Sequence, residues 1–180
     1  MPVRFSGVVP SLVLFDRDGT LVVDRPMLDN PSDVCLMDGA REAVARLRTR
    51  GIALGVVTNQ PRLGLGTLEP SELAAVHAEI ERKLGALDLW AVCPHPPADG
   101  CGCRKPMPGL IVDALRRLGR TAQDCIVVGD IGSDMEAAAG AGVRAILIPT
   151  SVTRREEIER ATVVARDLRE AVDVILGEPT

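Results

Sequence analysis

Five short runs of apolar residues are separated along the chain by longer segments whose apolar positions recur every three or four residues. The runs cover residues 12–15, 52–57, 87–92, 125–128 and 143–148. Runs this short and this uniformly apolar are typical of strands that are buried on both faces of a sheet. Because strands and helical segments alternate, the pattern predicts a Rossmann-like α/β fold, a parallel sheet with helices on both faces.

The segments between these strands carry the spacing of amphipathic helices. Three of them begin at a residue that favours a helix start, either as an N-cap or as a proline in the first turn: Asp38, Pro70 and Pro108. A short alanine-rich helix is predicted to end near Gly140, and the tail from residue 155 onward is predicted to be helical. Two connections, 22–37 and 60–66, lack a helical or strand period and are predicted to be loops.

Length and composition narrow the class of protein. The 180 residues suit one domain spanning 1–180, large enough to bury a sizeable core. Hydrophobic residues make up 46% and charged residues 26%, which is ordinary for a soluble protein. Aromatic residues reach only 2% and the net charge is −4, so a nucleic-acid partner is not expected. We find neither an export signal nor an apolar run long enough to cross a bilayer, and therefore expect a cytoplasmic protein with no membrane partner.

Two carboxylates, Asp16 and Asp18, follow directly after the first predicted strand. If the extended geometry continues, the two acids point the same way and Arg17 between them points to the opposite side. Two like charges are costly to bury side by side unless a cation lies between them, and a divalent cation with oxygen ligands is the simplest solution. The alternative is an acidic turn, because Asp-Gly is a common turn dipeptide.

Polar side chains also follow other predicted strands. In chain order they are Thr58 and Asn59 after the second strand, Arg104 and Lys105 in the loop after the third, and Asp130 and Asp134 after the fourth. In open α/β sheets ligands gather beyond the carboxyl ends of the strands, so these groups are predicted to meet at one edge. The set is too acidic to bind an anion unaided, but with Mg²⁺ and Lys105 its charge suits a phosphate.

In this order the motifs resemble those of phosphatases of the haloacid dehalogenase superfamily over nearly the whole chain. They are Asp16-Arg17-Asp18-Gly19-Thr20, Thr58-Asn59, Lys105, and Gly129-Asp130 with Asp134. The resemblance implies that Asp16 is a nucleophile that forms an aspartyl-phosphate, while Asp18 protonates the leaving alcohol and then deprotonates water. It also implies that Thr58 and Asn59 hydrogen-bond the phosphoryl oxygens and that Lys105 neutralises their charge while restraining Asp16.

The same resemblance implies a Mg²⁺ site made of Asp16, the backbone carbonyl of Asp18, and Asp130, since a hard cation takes oxygen ligands. Asp134, in the first turn of the next helix, is expected to support Lys105 or metal-bound water and not to bind the metal directly. Arg17 is given no catalytic role.

Three cysteines and a histidine crowd into the loop that precedes Lys105. The set Cys93, His95, Cys101 and Cys103 has the number and softness of ligands that tetrahedral Zn²⁺ prefers. Four protein ligands leave no open position, so this zinc is predicted to be structural and to fix the loop that carries Arg104 and Lys105. The alternative is a flexible loop with reduced thiols. The two remaining cysteines, Cys35 and Cys125, are predicted to be core thiols.

Three features narrow the resemblance to a smaller group within this superfamily. They are the spacing of the zinc ligands, the Arg-Lys-Pro that follows them, and the Thr-Asn-Gln at 58–60. They resemble the D-glycero-D-manno-heptose 1,7-bisphosphate 7-phosphatases and the related histidinol-phosphate phosphatases. This implies no separate cap domain, a monomer, and a pocket formed by three loops in which Gln60 and Arg104 contact the substrate. The fork of Arg104 suits a second phosphate or hydroxyls. Two departures bear on the substrate, because Leu65 replaces the usual Arg and Ile131 the common Lys.

Several functional hypotheses follow from this pattern. The first is hydrolysis of the C7 phosphate of a heptose 1,7-bisphosphate in nucleotide-activated heptose synthesis. Histidinol phosphate is the second, since Asp24 and Asp29 could serve a cationic imidazole, and another small sugar phosphate is the third. A hypothesis of another class is an inactive, zinc-stabilised phosphosugar-binding module. The presence of both Asp16 and Asp18 weighs against this last one.

Overall fold

The computed structural model describes residues 9–178, which form one five-stranded sheet with helices on both faces. The strands are β1 Leu12–Phe15, β2 Ala53–Asn59, β3 Leu89–Cys93, β4 Cys125–Gly129 and β5 Arg144–Leu147. The helices are α1 Ala40–Thr49, α2 Pro61–Gly64, α3 Pro70–Leu84, α4 Gly109–Leu118, α5 Gly132–Gly140, α6 Arg155–Arg160 and α7 Leu168–Leu176. Short 3₁₀ turns lie at Pro31–Asp33, Pro97–Asp99 and Ala122–Asp124.

All four strand pairings are parallel, in the spatial order β3-β2-β1-β4-β5. Successive residues of β1 point to opposite faces, as a strand requires. Val13 and Phe15 enter a core shared with α1, α3 and α7, whereas Leu12 and Leu14 enter one shared with α4 and α5. The predicted α/β architecture is confirmed, and β1 is its fully buried centre.

The boundaries of several elements differ from the prediction. The N-cap of α1 is Gly39 and not Asp38, and its backbone is left-handed with φ 79°. Strand β2 runs two residues beyond its predicted end, because Thr58 and Asn59 still pair with β3. The predicted loop 60–66 contains α2, which begins at a proline in its first turn.

The two cysteines outside the predicted zinc set differ in exposure. Cys125 is buried as predicted, but Cys35 is exposed, so the prediction of a core thiol there is wrong.

Within residues 9–178 neither the connection between β1 and α1 nor that between β2 and β3 adds a second sheet, in agreement with the predicted lack of a cap domain. No helix in this range is long and apolar enough to cross a membrane.

The parallel register brings the carboxyl ends of the strands to one edge. Phe15, the last residue of β1, is in register with Val56 of β2 and Val128 of β4. The residues that follow these positions therefore lie together at this edge of the sheet. They include Asp16, Thr58, Asn59 and Asp130.

Candidate active site and zinc loop

The chain turns sharply just after β1. The backbone N–H groups of Leu21 and Val22 both donate to the carbonyl of Arg17, each at 3.0 Å. This turn ends the extended geometry, so the prediction that Arg17 points away from the two acids is wrong. Its guanidinium instead contacts the Asp18 carboxylate, with Nε 2.9 Å from Oδ1 and Nη2 2.9 Å from Oδ2.

Lys105 is the cation at the centre of the site and is buried. Its Nζ donates to Asp16 Oδ1 at 2.6 Å, to Asp134 Oδ1 at 2.6 Å and to the carbonyl of Val57 at 2.9 Å. These acceptors use all three ammonium protons. Burial alone would lower the pKa of Lys105, but the charges of Asp134 and Asp16 outweigh it and raise that pKa above its usual value.

Asn59 holds the backbone of Lys105. Its Nδ2 donates to the Lys105 carbonyl at 3.1 Å, and its Oδ1 accepts the Lys105 N–H at 3.0 Å. Both polar groups of the Asn59 side chain are thus engaged. The end of β2 therefore fixes the position of the lysine loop, a contact that differs from the phosphoryl contact predicted for this side chain.

Three carboxylates lie close enough together to hold a metal ion. One oxygen each from Asp16, Asp130 and Asp134 falls within 4.8 Å of the others, and all three residues are buried. The turn after β1 comes close to Asp130 because it contains Gly19. The φ of Gly19 is +80°, and a Cβ at this position would lie 2.2 Å from Asp130 Oδ2. Only a glycine fits this turn against Asp130.

The protonation behaviour of this cluster indicates that it fits a cation. Burial, together with the charges of Asp134 and Asp18 and against the attraction of Lys105, raises the pKa of Asp16 to about 8. Burial and the charge of Asp134 raise the pKa of Asp130 to about 7. Buried carboxylates that resist ionisation in this way are relieved by a divalent cation with oxygen ligands.

Asp134 is fully buried and already has partners on both oxygens. Oδ1 accepts from Lys105 and Oδ2 accepts from the backbone N–H of Ile131 at 3.3 Å. Its β-carbon also packs against Gly129, where an added Cβ would lie 2.4 Å away. These contacts place Asp134 beside Lys105, and its supporting role stays a prediction.

The four predicted zinc ligands converge. One atom from each of Cys93, His95, Cys101 and Cys103 lies within 4.8 Å of the others. Five separations between these Sγ and Nδ1 atoms range from 3.1 to 3.6 Å. A tetrahedral zinc with Zn–S bonds of about 2.3 Å separates its sulfur ligands by roughly 3.8 Å. The set therefore fits zinc with little movement.

The zinc loop is tied to the rest of the edge by backbone hydrogen bonds. Cys93 is the last residue of β3, and its carbonyl accepts the N–H of Gln60 at 2.7 Å. The N–H of Arg104 donates to Cys101 Sγ at 3.3 Å, which orients a zinc-binding thiolate. Lys105 is the next residue, so the zinc cluster and the catalytic edge share one short segment.

The remaining predicted residues are Gln60, which is buried, and Arg104. Gln60 Nε2 donates to Asp18 Oδ2 and to Thr58 Oγ1, both at 2.9 Å. Arg104 is half-buried, and its Nη1 donates to the His95 carbonyl at 3.3 Å. The contact that the sequence analysis missed is the Arg17–Asp18 pair, although the Asp-Gly dipeptide at 18–19 is a signal for the turn that creates it.

An aspartate in contact with a buried lysine, beside a carboxylate cluster at the carboxyl edge of a parallel sheet, defines a class of protein. It is the class of metal-assisted phosphohydrolases that use a carboxylate nucleophile. Comparison with known proteins leads to the same class. The family described as HAD-hydrolase-like matches residues 102–171.

Similar proteins cover nearly the whole chain. The D-glycero-beta-D-manno-heptose-1,7-bisphosphate 7-phosphatase of Bordetella bronchiseptica is 33% identical over 176 residues, which are 93% of this chain and 98% of that protein. The D-glycero-alpha-D-manno-heptose-1,7-bisphosphate 7-phosphatase of Mycobacterium bovis is 36% identical over 144 residues, or 72% and 75%. The crystal structure of the B. bronchiseptica D,D-heptose 1,7-bisphosphate phosphatase with magnesium and phosphate superposes with a TM-score of 0.84 at 31% identity, covering 94% of this chain and 99% of that one. This chain belongs to the haloacid dehalogenase-like phosphatase family that contains these relatives.

Proposed function

We propose that this protein hydrolyses the C7 phosphate of a D-glycero-D-manno-heptose 1,7-bisphosphate through an aspartyl-phosphate intermediate. The observation that carries the chemistry is the buried contact between Asp16 and Lys105 at 2.6 Å, at the edge where β1, β2 and β4 end. The heptose assignment is supported by relatives that carry this name and cover nearly the full chain.

Asp16 serves as the nucleophile in this proposal. Its Oδ1 is held by Lys105, which stabilises the ionised form and leaves Oδ2 to attack phosphorus. As that bond forms, the phosphorus–oxygen bond to C7 breaks and the electron pair stays with the sugar oxygen. Asp18 gives its proton to that oxygen and later accepts a proton from the water that attacks the aspartyl-phosphate.

Mg²⁺ would be held by Asp16, Asp130 and the backbone carbonyl of Asp18. When bound, it would supply positive charge that stabilises the negative charge of the phosphoryl group. Asp134 supports this arrangement through Lys105, since both of its oxygens are engaged. Thr58, whose hydroxyl is buried at the end of β2, contacts a phosphoryl oxygen, and Asn59 acts by positioning Lys105.

The loops at the rim select the substrate. Arg104 extends from the zinc loop and is the group we assign to the second phosphate. The exposed Leu65 supplies no charge in place of the usual arginine, but Arg62 in α2 lies three residues earlier and contacts Asp29 at 3.2 Å. That ion pair neutralises one of the two acids that a histidinol phosphate substrate would use. The charges of these loops therefore favour the heptose bisphosphate over histidinol phosphate as the substrate.

The substrate is tested by initial rates on both heptose 1,7-bisphosphate anomers, histidinol phosphate and a panel of hexose phosphates. We expect one heptose anomer to have the highest kcat/KM, because only a bisphosphate engages both Asp16 and Arg104. Comparable slow rates on all substrates would contradict the heptose assignment while leaving the phosphatase chemistry intact. Arg104→Gln should raise KM for the bisphosphate more than for a monophosphate.

We also infer that the enzyme acts as one domain and as a cytoplasmic monomer on a free sugar phosphate, and not on nucleic acid or a membrane. A zinc set built from three thiolates suits a reducing compartment. Both faces of the sheet are covered by this chain's own helices. Light scattering after size exclusion that gave twice the chain mass would contradict the monomer.

The stabilising effect of magnesium is expected to grow with pH. The pKa values of Asp16 and Asp130 are raised from 3.8 to about 8 and about 7, so the metal-free folded state binds protons that the unfolded state has lost. These two groups therefore lower metal-free stability as pH rises from about 4 to about 8. A cation competes with the same protons, so its affinity rises through that range.

Differential scanning calorimetry tests this linkage. The increase in Tm caused by a fixed Mg²⁺ concentration should be larger at about pH 8.5 than at about pH 6. Asp130→Asn is expected to remove most of the increase at both values. An Mg²⁺-dependent shift that was independent of pH would show that the carboxylates are already ionised without the metal.

A further inference from the structure

Among residues 9–178, Arg17 is the one strongly buried cation that the mechanism above does not use. Arg17 is 3% exposed, and its guanidinium donates hydrogen bonds to the Asp18 carboxylate from Nε and Nη2. Gln60 donates to the same carboxylate from the other side, at Oδ2. Three N–H groups thus define the orientation of Asp18, whose own side chain stays 23% exposed.

His77 of α3 lies near the Arg17 guanidinium. Burial, together with the charge of Arg17, lowers the pKa of the neighbouring His77 to about 3, so the His77 ring is neutral. The His77 ring stacks on Trp90 with centroids 3.7 Å apart, and Trp90 Nε1 donates to Glu81 at 2.9 Å. Arg17 therefore has a neutral imidazole near it, and Asp18 is the acidic partner of its guanidinium in the described part of the chain.

The carboxylate of Asp18 is also set apart from the metal cluster. Among residues 9–178 the group of close oxygens contains Asp16, Asp130 and Asp134 but not Asp18. An acid that must deliver a proton to the leaving oxygen gains rate only when it is held in a productive orientation. The guanidinium fork fixes the plane of the carboxylate, which a point charge would not do.

We propose that Arg17 is a positioning residue for proton transfer, which with Gln60 holds the Asp18 carboxylate toward the leaving-group oxygen. This rests on the proposed role of Asp18 as the general acid. In the first step Asp16 bonds to phosphorus and the bond between phosphorus and the leaving oxygen breaks. That oxygen keeps the electron pair and takes the proton of Asp18. Arg17 touches none of these reacting atoms and acts only through Asp18.

A series of aryl phosphates tests the proposal without depending on the natural substrate. 4-Nitrophenyl phosphate releases a weakly basic anion that needs little protonation, whereas phenyl and 4-methoxyphenyl phosphates release more basic phenoxides that gain more from protonation. Arg17→Met should lower kcat/KM for 4-nitrophenyl phosphate less than about threefold and for phenyl phosphate about tenfold or more, a part of the 10²–10⁴-fold that a general acid contributes. Asp18→Asn should show the same dependence on the leaving group more strongly.

A double-mutant cycle distinguishes positioning from a general effect on folding. Arg17→Met added to Asp18→Asn should change the rates by less than about threefold, because residues that act as a unit are not additive. Gln60→Leu, which removes the other donor to Asp18, should give a smaller shift of the same kind. Arg17→Lys keeps the charge without the fork and should restore little of the rate on phenyl phosphate.

Several outcomes would overturn the proposal. They are an equal loss of kcat/KM on all aryl phosphates, a further tenfold loss in the Asp18→Asn background, or full rescue by Arg17→Lys. If Asp18→Asn itself shows no dependence on the leaving group, the assignment of Asp18 in the proposed function fails, and the proposal with it. If only the heptose assignment fails, the aryl phosphate series remains readable.

Discussion

Replacing Asp16 with Asn is expected to lower kcat by at least about 10⁴-fold, as the loss of a catalytic nucleophile does in other hydrolases. Asn has nearly the same volume but no ionised oxygen, so it cannot form the bond to phosphorus. Lys105 keeps two of its three acceptors, the Val57 carbonyl and Asp134. The fold should therefore survive, and phosphate release from 4-nitrophenyl phosphate is the measurement.

A matched control is Asp113→Asn on the exposed face of α4. Asp113 pairs with Arg116 at 2.7 Å and lies away from the site, so its change should leave kcat within about twofold, in keeping with the small energy of surface ion pairs. Phosphate release by Asp16→Asn at a rate near that of the control would show that another group attacks phosphorus. Acid-quenched samples of the native enzyme should contain phosphate bound to Asp16.

Replacing Cys103 with Ser is expected to remove stoichiometric zinc and to lower kcat by about 10²-fold, the size of effect that a shift of about 1 Å in a catalytic group produces. Cys103 Sγ contacts both Cys93 Sγ at 3.1 Å and His95 Nδ1 at 3.3 Å. Burial and the two neighbouring thiols raise the pKa of Cys103 to about 12, a cost that a bound cation removes. Elemental analysis and calorimetry measure metal content and the lowered Tm.

Cys35→Ser is the control for the zinc experiment, because Cys35 is exposed and lies outside the ligand set. It should keep full zinc content, Tm and kcat. Protein purified without chelator that contained little zinc would contradict the metal site. Full activity in a zinc-free Cys103→Ser protein would show that the lysine loop is held by Asn59 and the backbone alone.

The strands and the edge of the site were predictable because their signals are local or follow from parallel topology. Apolar runs located all five strands. Asp16 and Asp130 directly follow β1 and β4, and Thr58 is the last residue but one of β2, so the parallel pairing brings all three to the same edge. The convergence of Cys93, His95, Cys101 and Cys103 could also be predicted, since four soft ligands in eleven residues have few other uses. The extent of the chain as one domain stays a prediction.

Side-chain orientation after the strand ends could not be predicted. Sequence places Arg17 between two acids, but only the turn made by Leu21 and Val22 onto its carbonyl brings it to Asp18. Asn59 was expected to face phosphate, and its amide instead matches the Lys105 backbone across a separation of 46 residues. The Asn59 contact depends on the three-dimensional approach of distant segments, whereas the Arg17 contact depends on the local turn, for which Asp-Gly was the only sequence signal.

The predicted zinc ligands and Lys105 lie on one short segment, residues 93–105, and this makes the activity sensitive to oxidants. Cys101 and Cys103 are both partly exposed, and Cys103 stands only two positions before Lys105. An oxidant such as peroxide that converted these thiolates to a disulfide or to sulfenic acid would release the metal and loosen the lysine. The enzyme would then lose phosphatase activity under oxidising conditions although no thiol takes part in its chemistry, and a thiol reductant with zinc would restore it.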